Sequence, residues 1–356
     1  IETNFLRSRT NSQHNLLLRG GAPKNNYSLS LNYLGELPHN SHAREDQLSF
    51  GLRNHFQFFN WLNGSIGIDV HNVTSEAYNG VSNPFSLYTD YPSYYMLQDQ
   101  SGSPLPLPQL KSRNELDRLI GLGLEDEAFY PMEAIEKQKF SSNRMHYRFN
   151  FGLNFKFNSH LNADLKYQRE IGSLKSRQDY ADDSYYVRSM VNNAAQVNGN
   201  VITYNVPLGS QLSQVRGDHN SYTLRTQLNY DNTIADTHLV TALAGAEIRA
   251  VKNTQTTNYY MGYDDNTLQY KTIDAIKLKN INGTQSLSGR YAWDETKYNT
   301  LDEDENRYIS FYSVASYVYD NRYTLTGSVR VDQSNLFGTD PKYRYRPLWS
   351  IGSGWR

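Results

Sequence analysis

The side chains best suited to holding a sugar or a peptide are aromatic residues in the segments that join the predicted strands. Aromatic faces stack on such ligands, and neighbouring Asp, Asn, Gln and Arg side chains supply hydrogen bonds. Each of these aromatic residues could instead pack within its own loop. Together they suggest an aromatic-rich rim, and the candidates are Tyr88, Tyr91, Tyr94, Tyr95, Tyr185, Tyr186, Tyr259, Tyr260 and Trp293.

No catalytic or metal-binding motif stands out in the sequence. It lacks the His-Glu-x-x-His, P-loop and Gly-x-Ser-x-Gly patterns, and the absence of cysteine excludes thiolate metal sites. The nine histidines are scattered, and the acidic runs at 182–183, 264–265 and 302–305 match no calcium-loop spacing. We therefore expect no enzymatic activity, no cofactor and no metal site, and we interpret the acidic runs as solvated loops.

The composition fits neither a compact domain with a thick apolar core nor a disordered chain. Of 356 residues only 38% are hydrophobic, yet 13% are aromatic, including 29 tyrosines. Globular domains usually contain about 45–50% apolar residues, and disordered chains are poor in aromatic residues. The net charge of -1 argues against a nucleic-acid partner. No run of about 18 apolar residues occurs, so we expect no transmembrane helix.

Period-two alternation of apolar and polar residues is the dominant pattern, and it predicts β-strands. Residues 148–157 place Phe149, Phe151 and Leu153 on one face, with polar or small residues on the other. Residues 307–319 alternate less cleanly. The same alternation recurs around residues 48–58, 66–70, 161–168, 222–230, 240–248 and 323–332.

The connections between these strands alternate between short and long. Strands of about ten residues whose loops are sorted in this way are typical of outer-membrane barrels. Counting a short first strand at residues 3–8 and a last one from about 348, the pattern predicts twelve strands of an all-β, antiparallel transmembrane barrel with short periplasmic turns and long extracellular loops. The tight turns are predicted at 20–26, 60–61, 158–159, 231–236 and 320–321, and the loops at about 35–46, 72–142, 171–219, 252–306 and 333–347.

Aromatic residues cluster beside the short turns, where a barrel meets the lipid headgroups. This placement predicts a periplasmic aromatic girdle. Its members are Phe58, Phe59, Trp61, Tyr230, Tyr317, Tyr319 and Tyr323.

The longest loop contains one segment that breaks the β pattern. Ser112 is placed to cap a short helix over residues 114–122, with Leu116, Leu119 and Ile120 on one face. The loop is therefore expected to be partly ordered. It either contacts another protein or packs on its own barrel.

Two stretches resemble the SusC/RagA family of TonB-dependent outer-membrane transporters. The first, residues 20–36, contains a Gly-Gly turn followed by Lys24, Tyr27 and a Ser/Leu strand. The second, residues 330–338, reads Arg-Val-Asp-Gln-Ser-Asn-Leu-Phe-Gly and continues to the Gly-Trp-Arg at 354–356. It is similar to the family's Arg-x-Asp-Gly-Ser-Ser-x-Phe-Gly signature and to the Pro-Ser…Gly-Trp strand after it. The departures are Gln333, Asn335 and Leu348, while order and spacing are kept.

The resemblance implies that residues 1–356 are a partial barrel, with about 12 of an expected 22 strands, since the family's plug domain, TonB box and last strands are absent from the sequence. It implies active import of oligosaccharides or oligopeptides across the bacterial outer membrane. A SusD-like surface lipoprotein would deliver the ligand, and the inner-membrane TonB–ExbB–ExbD complex would supply energy through the plug. The polar strand faces would line the lumen or contact the plug, through Arg53, Arg148, Lys156, Lys166, Arg225 and Arg330.

Two other classes stay open at this point. A passive porin or an outer-membrane adhesin would use the same kind of barrel, and an upstream plug with a TonB box would distinguish an active transporter from it. A soluble β-sandwich that binds or acts on glycans would also have strands with one polar face. Such a protein would stay in solution without detergent.

Overall fold

The structure, a computed structural model, describes residues 2–78, 94–107, 111–284, 293–337 and 345–356. Its strands are β1 (Thr10–Ala22), β2 (Asn25–Leu37), β3 (Ala43–Phe59), β4 (Leu62–Tyr78), β5 (Gln138–Lys156), β6 (Leu161–Tyr180), β7 (Ala195–Asn198), β8 (Val201–Tyr204), β9 (Ser210–Ile234), β10 (His238–Asp264), β11 (Gln269–Lys271), β12 (Thr300–Tyr319), β13 (Tyr323–Ser334) and β14 (Pro347–Trp355). Its helices are α1 (Glu2–Phe5), α2 (Arg113–Gly121), α3 (Pro131–Ala134), α4 (Tyr185–Asn193) and α5 (Ala275–Leu278), with short 3-10 helices at Ile135–Lys137, Glu295–Lys297 and Asn335–Phe337.

Eleven of these strands lie side by side in one sheet and in chain order, β1-β2-β3-β4-β5-β6-β9-β10-β12-β13-β14. A twelfth, β11, pairs with the end of β10, and β7 with β8 forms a separate two-stranded sheet. All pairings among the described strands are antiparallel. Neighbouring strands therefore satisfy each other's backbone polar groups, as strands that cross lipid must do.

The strand register collects apolar side chains in rows on one face of the sheet. In the row that crosses most strands the exposed fractions lie between 39% and 43%, so the described chain leaves this face uncovered. A soluble sandwich would bury such a face against a second sheet, so the uncovered face favours a barrel wall over that alternative. The clearest row crosses six strands through Ile66, Phe151, Tyr167, Leu224, Ile248 and Ile309, each paired with the next.

Six of the seven aromatic residues predicted for the girdle are exposed, as a girdle requires, and Tyr230 is half-buried. Phe59 and Trp61 are 58% and 52% exposed, and their rings stack with centroids 5.4 Å apart. Tyr319 and Tyr323, at the turn between β12 and β13, are also exposed and lie in a stacked pair. Both turns thus present flat amphipathic rings beside the apolar face.

The alternation of short and long connections is confirmed, but the strands are longer than the sequence predicts. β9 has 25 residues and β10 has 27, against the roughly 9–11 that cross a bilayer. Polar pairs such as Lys252 with Glu303, at 2.8 Å between Nζ and Oε1, extend the ladder beyond the apolar face. The acidic run 302–305 consequently belongs to β12, and its interpretation as a loop is wrong. The loop predicted at 35–46 shrinks to residues 38–42.

The strand predicted at residues 3–8 is wrong, because the segment begins as helix α1 and continues as a single bridge between Leu6 and Asn40. Phe5 is only 1% exposed and packs in a cluster with Leu107 and Phe129. The burial of the Phe5 ring against the longest connection stabilises this segment more than pairing as a strand would. The sheet still contains the predicted number of twelve strands, because the short strand β11 also pairs in it.

The buried apolar residues of the described chain lie mostly in the long connections. One cluster joins Val187 and Val191 of α4 to Val206, Leu278 and Trp293. Two smaller clusters centre on Phe129 and on Leu119. The long connections, at one end of the strands, thus form a packed layer, which we call the loop layer. This layer contains most of the buried apolar residues of the described chain.

The helix predicted in the longest connection is confirmed as α2. The Ser112 hydroxyl accepts a hydrogen bond from the backbone N–H of Glu115, and Leu119 is fully buried. Ile120, predicted on the same face, is 51% exposed. Within the described ranges, no helix is both long and apolar enough to cross a membrane.

We expect Phe151→Arg to destabilise the full-length protein and Asn150→Arg to be tolerated. Phe151 lies in the apolar row between Ile66 and Tyr167, and an arginine on the lipid face costs about 2–4 kcal/mol near the bilayer midplane. Asn150 is its neighbour on the opposite, polar face. Urea unfolding in liposomes, followed by heat-modifiable migration, measures the difference. Equal loss of stability in both variants would show that the two faces are assigned wrongly.

Candidate functional site

The six basic residues predicted for the inner wall all lie on the polar face of the sheet. Directly paired residues of neighbouring strands share a face, and the register puts each of the six opposite the apolar rows. In a barrel whose apolar face meets lipid, the polar face lines the interior. The six are Arg53, Arg148, Lys156, Lys166, Arg225 and Arg330.

Acidic partners neutralise two of these arginines on the first half of the sheet. Arg53 places Nη2 2.7 and 2.8 Å from the two carboxylate oxygens of Asp69. Arg148 donates from Nε to Glu170 Oε1 at 2.7 Å. Lys156 and Lys166 form no ion pair with any described residue, so their charges are available to the space that the face encloses.

The other two arginines are paired on the second half of the sheet. Arg225 lies 2.9 Å from Glu247, and Arg330 lies 2.8 Å from Asp332. Arg225 also stands over the ring of Tyr312 at 5.7 Å from its centroid. That ring lies flat across Gly245, where an added Cβ would come within 2.5 Å of it. Four of the six cations on the wall are thus held in ion pairs, whereas Lys156 and Lys166 are not paired with any described residue.

A cavity of about 690 Å³ opens where β5, β6, β9, β10 and β12 lie side by side. Two of its lining positions are glycines, Gly172 and Gly217, so the wall is recessed there. Arg144 contributes a positive charge, and Asp218, Asp302, Glu303 and Asp304 contribute negative charges. The lining residues form three rows of paired positions: His146, Gly172, His219, Asn253 and Asp304; Met145, Ser173, Asp218, Thr254 and Glu303; and Arg144, Leu174, Gly217, Gln255 and Asp302.

Sequence reasoning missed this cavity. Its lining comes from five strands, and residues 144 and 304 are brought together only by the pairings between them. The signal available in the sequence was glycine in place of a side chain at polar-face positions of β6 and β9. The histidines are scattered in the sequence, but the fold brings His146 and His219 together beside Glu170.

Of the aromatic residues predicted to bind ligand, Tyr88 and Tyr91 lie outside the described residues. Tyr94 and Tyr95 are 79% and 42% exposed and stack on each other with ring centroids 5.4 Å apart. Such an exposed pair presents an aromatic face to solvent, which suits stacking on a ligand. A ligand-binding role for this pair stays a prediction.

The remaining aromatic candidates pack against neighbouring side chains, and two of them, Tyr259 and Tyr260, lie in β10 rather than in the predicted loop. Tyr186 stacks on Tyr180 at 4.4 Å, and Trp293, only 8% exposed, stacks on Tyr298 at 4.4 Å. Tyr259 joins this group and donates a hydrogen bond to Gln211 Oε1.

Tyr185 and Tyr260 make comparable contacts elsewhere, with Phe129 at 5.5 Å and Tyr270 at 4.8 Å between ring centroids. For Tyr185, Tyr186, Tyr259, Tyr260 and Trp293 the structure therefore provides a packing role, and ligand contact stays a prediction.

A second charged group lies at the loop ends of β6 and β10. Arg177 Nη2 is 2.6 Å from Asp179 Oδ1 and 2.8 Å from Asp265 Oδ1. Tyr263 also donates to Asp265, at 3.1 Å. The guanidinium first, and the phenol second, hold the pKa of the Asp265 carboxyl below its usual range. The acidic run 264–265 is therefore tied to the strand ends by an ion pair.

These features define the wall of an outer-membrane barrel of the kind found in TonB-dependent transporters: an antiparallel sheet with one lipid-suited face, one polar face and a layer of packed loops. Comparison with known proteins agrees. A TonB-dependent receptor, P26 of Formosa agariphila, is 28% identical over 131 residues, which are 36% of this chain and 11% of that receptor. No protein-family model matches the chain.

Several solved structures share the fold of this chain. Structures of the RagAB peptide importer in its closed-closed and open-open states each match with a TM-score of 0.68 and 17% identity over 99% of this chain and 34% of theirs. The FpvA protein of P. aeruginosa matches with a TM-score of 0.51 and 10% identity over 97% of this chain and 38% of its own.

The fold of this chain is thus that of an outer-membrane TonB-dependent transporter barrel, and the predicted resemblance to the SusC/RagA family is confirmed. The predicted location in a bacterial outer membrane agrees with that fold. The chain spans about a third of the RagAB chains it matches and a smaller part of the curated relative.

We expect Trp293→Ala to loosen the loop layer and Tyr94→Ala to leave it intact. Truncating a buried core aromatic residue costs about 3–5 kcal/mol, and Trp293 is buried against Tyr298, whereas Tyr94 is 79% exposed. Limited proteolysis of the full-length protein in detergent, with cleavage sites mapped by mass spectrometry, should show new cuts within 181–209 or 265–299 only for the first variant. Identical digestion patterns would argue against a structural role for the Trp293 ring.

Proposed function

We propose that the whole protein actively imports oligopeptides or oligosaccharides across the outer membrane, powered by TonB. The observation that carries the proposal is the polar wall with its cavity, built on a transporter barrel fold. Paired charges of both signs and a recess of about 690 Å³ offer hydrogen-bonding sites to a hydrated ligand. Binding and release are sufficient for this task, and we propose no covalent catalysis.

The loop layer supports a role for a surface partner. Its helices and clusters join the connections 94–137, 181–209 and 265–284 into one packed unit. Buried Asn192 contributes, since its amide donates to Glu125 O at 2.7 Å and to Glu127 Oε1 at 2.9 Å. An ordered platform of this kind suits docking of a SusD-like lipoprotein that delivers ligand from outside. The TonB–ExbB–ExbD complex would act through a plug domain of the whole protein.

Two observations favour peptides over glycans as cargo. The RagAB structures are those of a peptide importer. In addition, the cavity sets Arg144 on one side and Asp302 with Asp304 on the other, an arrangement that complements the two charged ends of a peptide. The exposed Tyr94–Tyr95 pair suits either ligand, because sugars and peptide side chains both stack on aromatic faces.

We expect cells that carry the full-length protein and the proposed SusD-like lipoprotein to accumulate fluorescent oligopeptides only when TonB is present. Gly217→Leu should slow this uptake several-fold, because the side chain would extend into the cavity while its Cβ meets Leu174 at an ordinary 3.5 Å. Gly327→Leu is the matched control, since Gly327 lies on the apolar face with open space around it. Uptake rates normalised to outer-membrane abundance provide the measurement.

The same assay separates the competing functions. Accumulation that is equal with and without TonB would indicate a passive porin and contradict the proposal. Accumulation of labelled oligosaccharides but not peptides would keep active import and reverse the preferred cargo. Equal rates for both leucine variants would exclude the cavity from the transport path.

A further inference from the structure

Three side chains on the polar face converge as a metal-binding set would. His146 on β5, Glu170 on β6 and His219 on β9 offer ligand atoms that all lie within 4.8 Å of one another. Glu170 Oε2 is 3.9 Å from His146 Nε2 and 3.6 Å from His219 Nε2. Two imidazole nitrogens with one carboxylate oxygen are a ligand set that zinc adopts when it keeps an open coordination position.

The sheet register creates this convergence. His146 pairs with Gly172, and Gly172 pairs with His219, so the two imidazoles face each other across β6. An added Cβ at Gly172 would lie 3.1 Å from the Cβ of His219 and 3.5 Å from Cδ2 of His146. The missing side chain therefore lets the rings approach, with centroids 6.2 Å apart. Glu170, two residues along the same strand, supplies the third ligand from the same face.

The hydrogen bonds around the cluster hold lone pairs toward its centre. His219 Nδ1 is 2.6 Å from Asn253 Oδ1, an acceptor, so Nδ1 carries the proton and Nε2 is left with a lone pair in the neutral ring. That lone pair faces Glu170 Oε2 at a distance too long for a hydrogen bond. A cation between the two atoms would satisfy both.

The carboxylate of Glu170 is itself held in place through its other oxygen. Arg148 Nε donates to Oε1 at 2.7 Å and Gln168 Nε2 at 2.6 Å. Oε2 lies toward the imidazoles and accepts a long hydrogen bond from Ser221 Oγ, at 3.4 Å, which leaves it a lone pair for a cation. Partners of this kind, which orient metal ligands from behind, commonly change metal affinity about 10–100-fold when they are removed.

One side of the cluster opens to the cavity. His146 and His219 line it, and their side chains are 28% and 32% exposed. Asp302 and Asp304 line the same cavity and raise the local concentration of cations. A bound ion would thus have three protein ligands and a fourth position open to water or to a ligand in the cavity.

We propose that His146, Glu170 and His219 form a zinc-binding site on the polar wall, with its open coordination position facing the cavity. This site is independent of peptide or glycan import, because it requires only the fold and the three side chains. This proposal departs from the expectation of no metal site, because strands far apart in the sequence bring the two histidines together.

The test is zinc binding to the full-length protein, purified in detergent with a tag that contains no histidine and stripped with chelator. Isothermal titration calorimetry and elemental analysis should find one tightly bound Zn²⁺ per chain. Binding should be lost in His146→Ala and in His219→Ala, and Asn253→Ala should weaken it about tenfold. His71→Ala is the matched control: His71 pairs with His146 on the next strand but bonds Ser49 Oγ at 2.9 Å, so binding should persist.

Two further readouts keep the outcome decisive. Co²⁺ added to the stripped protein should produce a visible absorption band that Glu170→Gln abolishes, and heat-modifiable migration identifies variants that have not folded. Zinc binding that is absent from the wild type, or unchanged in folded His219→Ala protein, would overturn the proposal. The cluster would then be an ordinary histidine–carboxylate ion pair. Neither result bears on TonB-dependent uptake, which is measured separately.

Discussion

The antiparallel backbone ladder from β1 to β14 is the constraint on which the rest of the structure depends. In lipid an unpaired N–H or C=O group costs several kcal/mol, so pairing must continue without gaps across the apolar band. Once the register is set, every side chain is assigned to a face, and a slip by one residue would exchange the faces. The pairing of Phe151 with Ile66 and Tyr167, beside Asn150 with Gly67 and Gln168, illustrates how closely the two environments alternate.

The backbone ladder continues beyond the end of the apolar face, and the connections therefore start from paired strand ends outside the membrane. β9 and β10 continue well past the length that a bilayer needs, held by polar pairs such as Lys252 with Glu303. The connections start from rigid strand ends, pack on one another and bury the apolar residues that the sheet cannot bury. A barrel wall has lipid on one side and water on the other, so its hydrophobic core is displaced into the loop layer.

The polar wall combines neutralised charge with recesses. Arginines paired to carboxylates, as in Arg53 with Asp69, provide hydrogen-bonding groups without a strong net potential, which suits passage of ligands that must be released again. Glycines on the same face, Gly172 above all, open space where side chains from neighbouring strands can converge. Glycine on the polar face thus makes room for both the cavity proposed for cargo and the cluster of His146, Glu170 and His219 proposed for zinc.

The class of fold, the faces of the strands, the short turns and the capped helix α2 could be predicted from the sequence, because alternation, turn residues and caps are local signals. Residues such as Arg225 and Lys166 could be assigned to the polar face from period two alone. Which residues meet depends on the pairing of strands that are distant in the chain. β6 pairs with β9 in the sheet although α4 and the β7–β8 hairpin lie between them in the sequence. This pairing alone brings His219 next to Glu170. The burial of Phe5 and Trp293 could not be predicted from the sequence. It depends on packing partners that are distant in the chain, and it produces no periodic pattern of apolar residues.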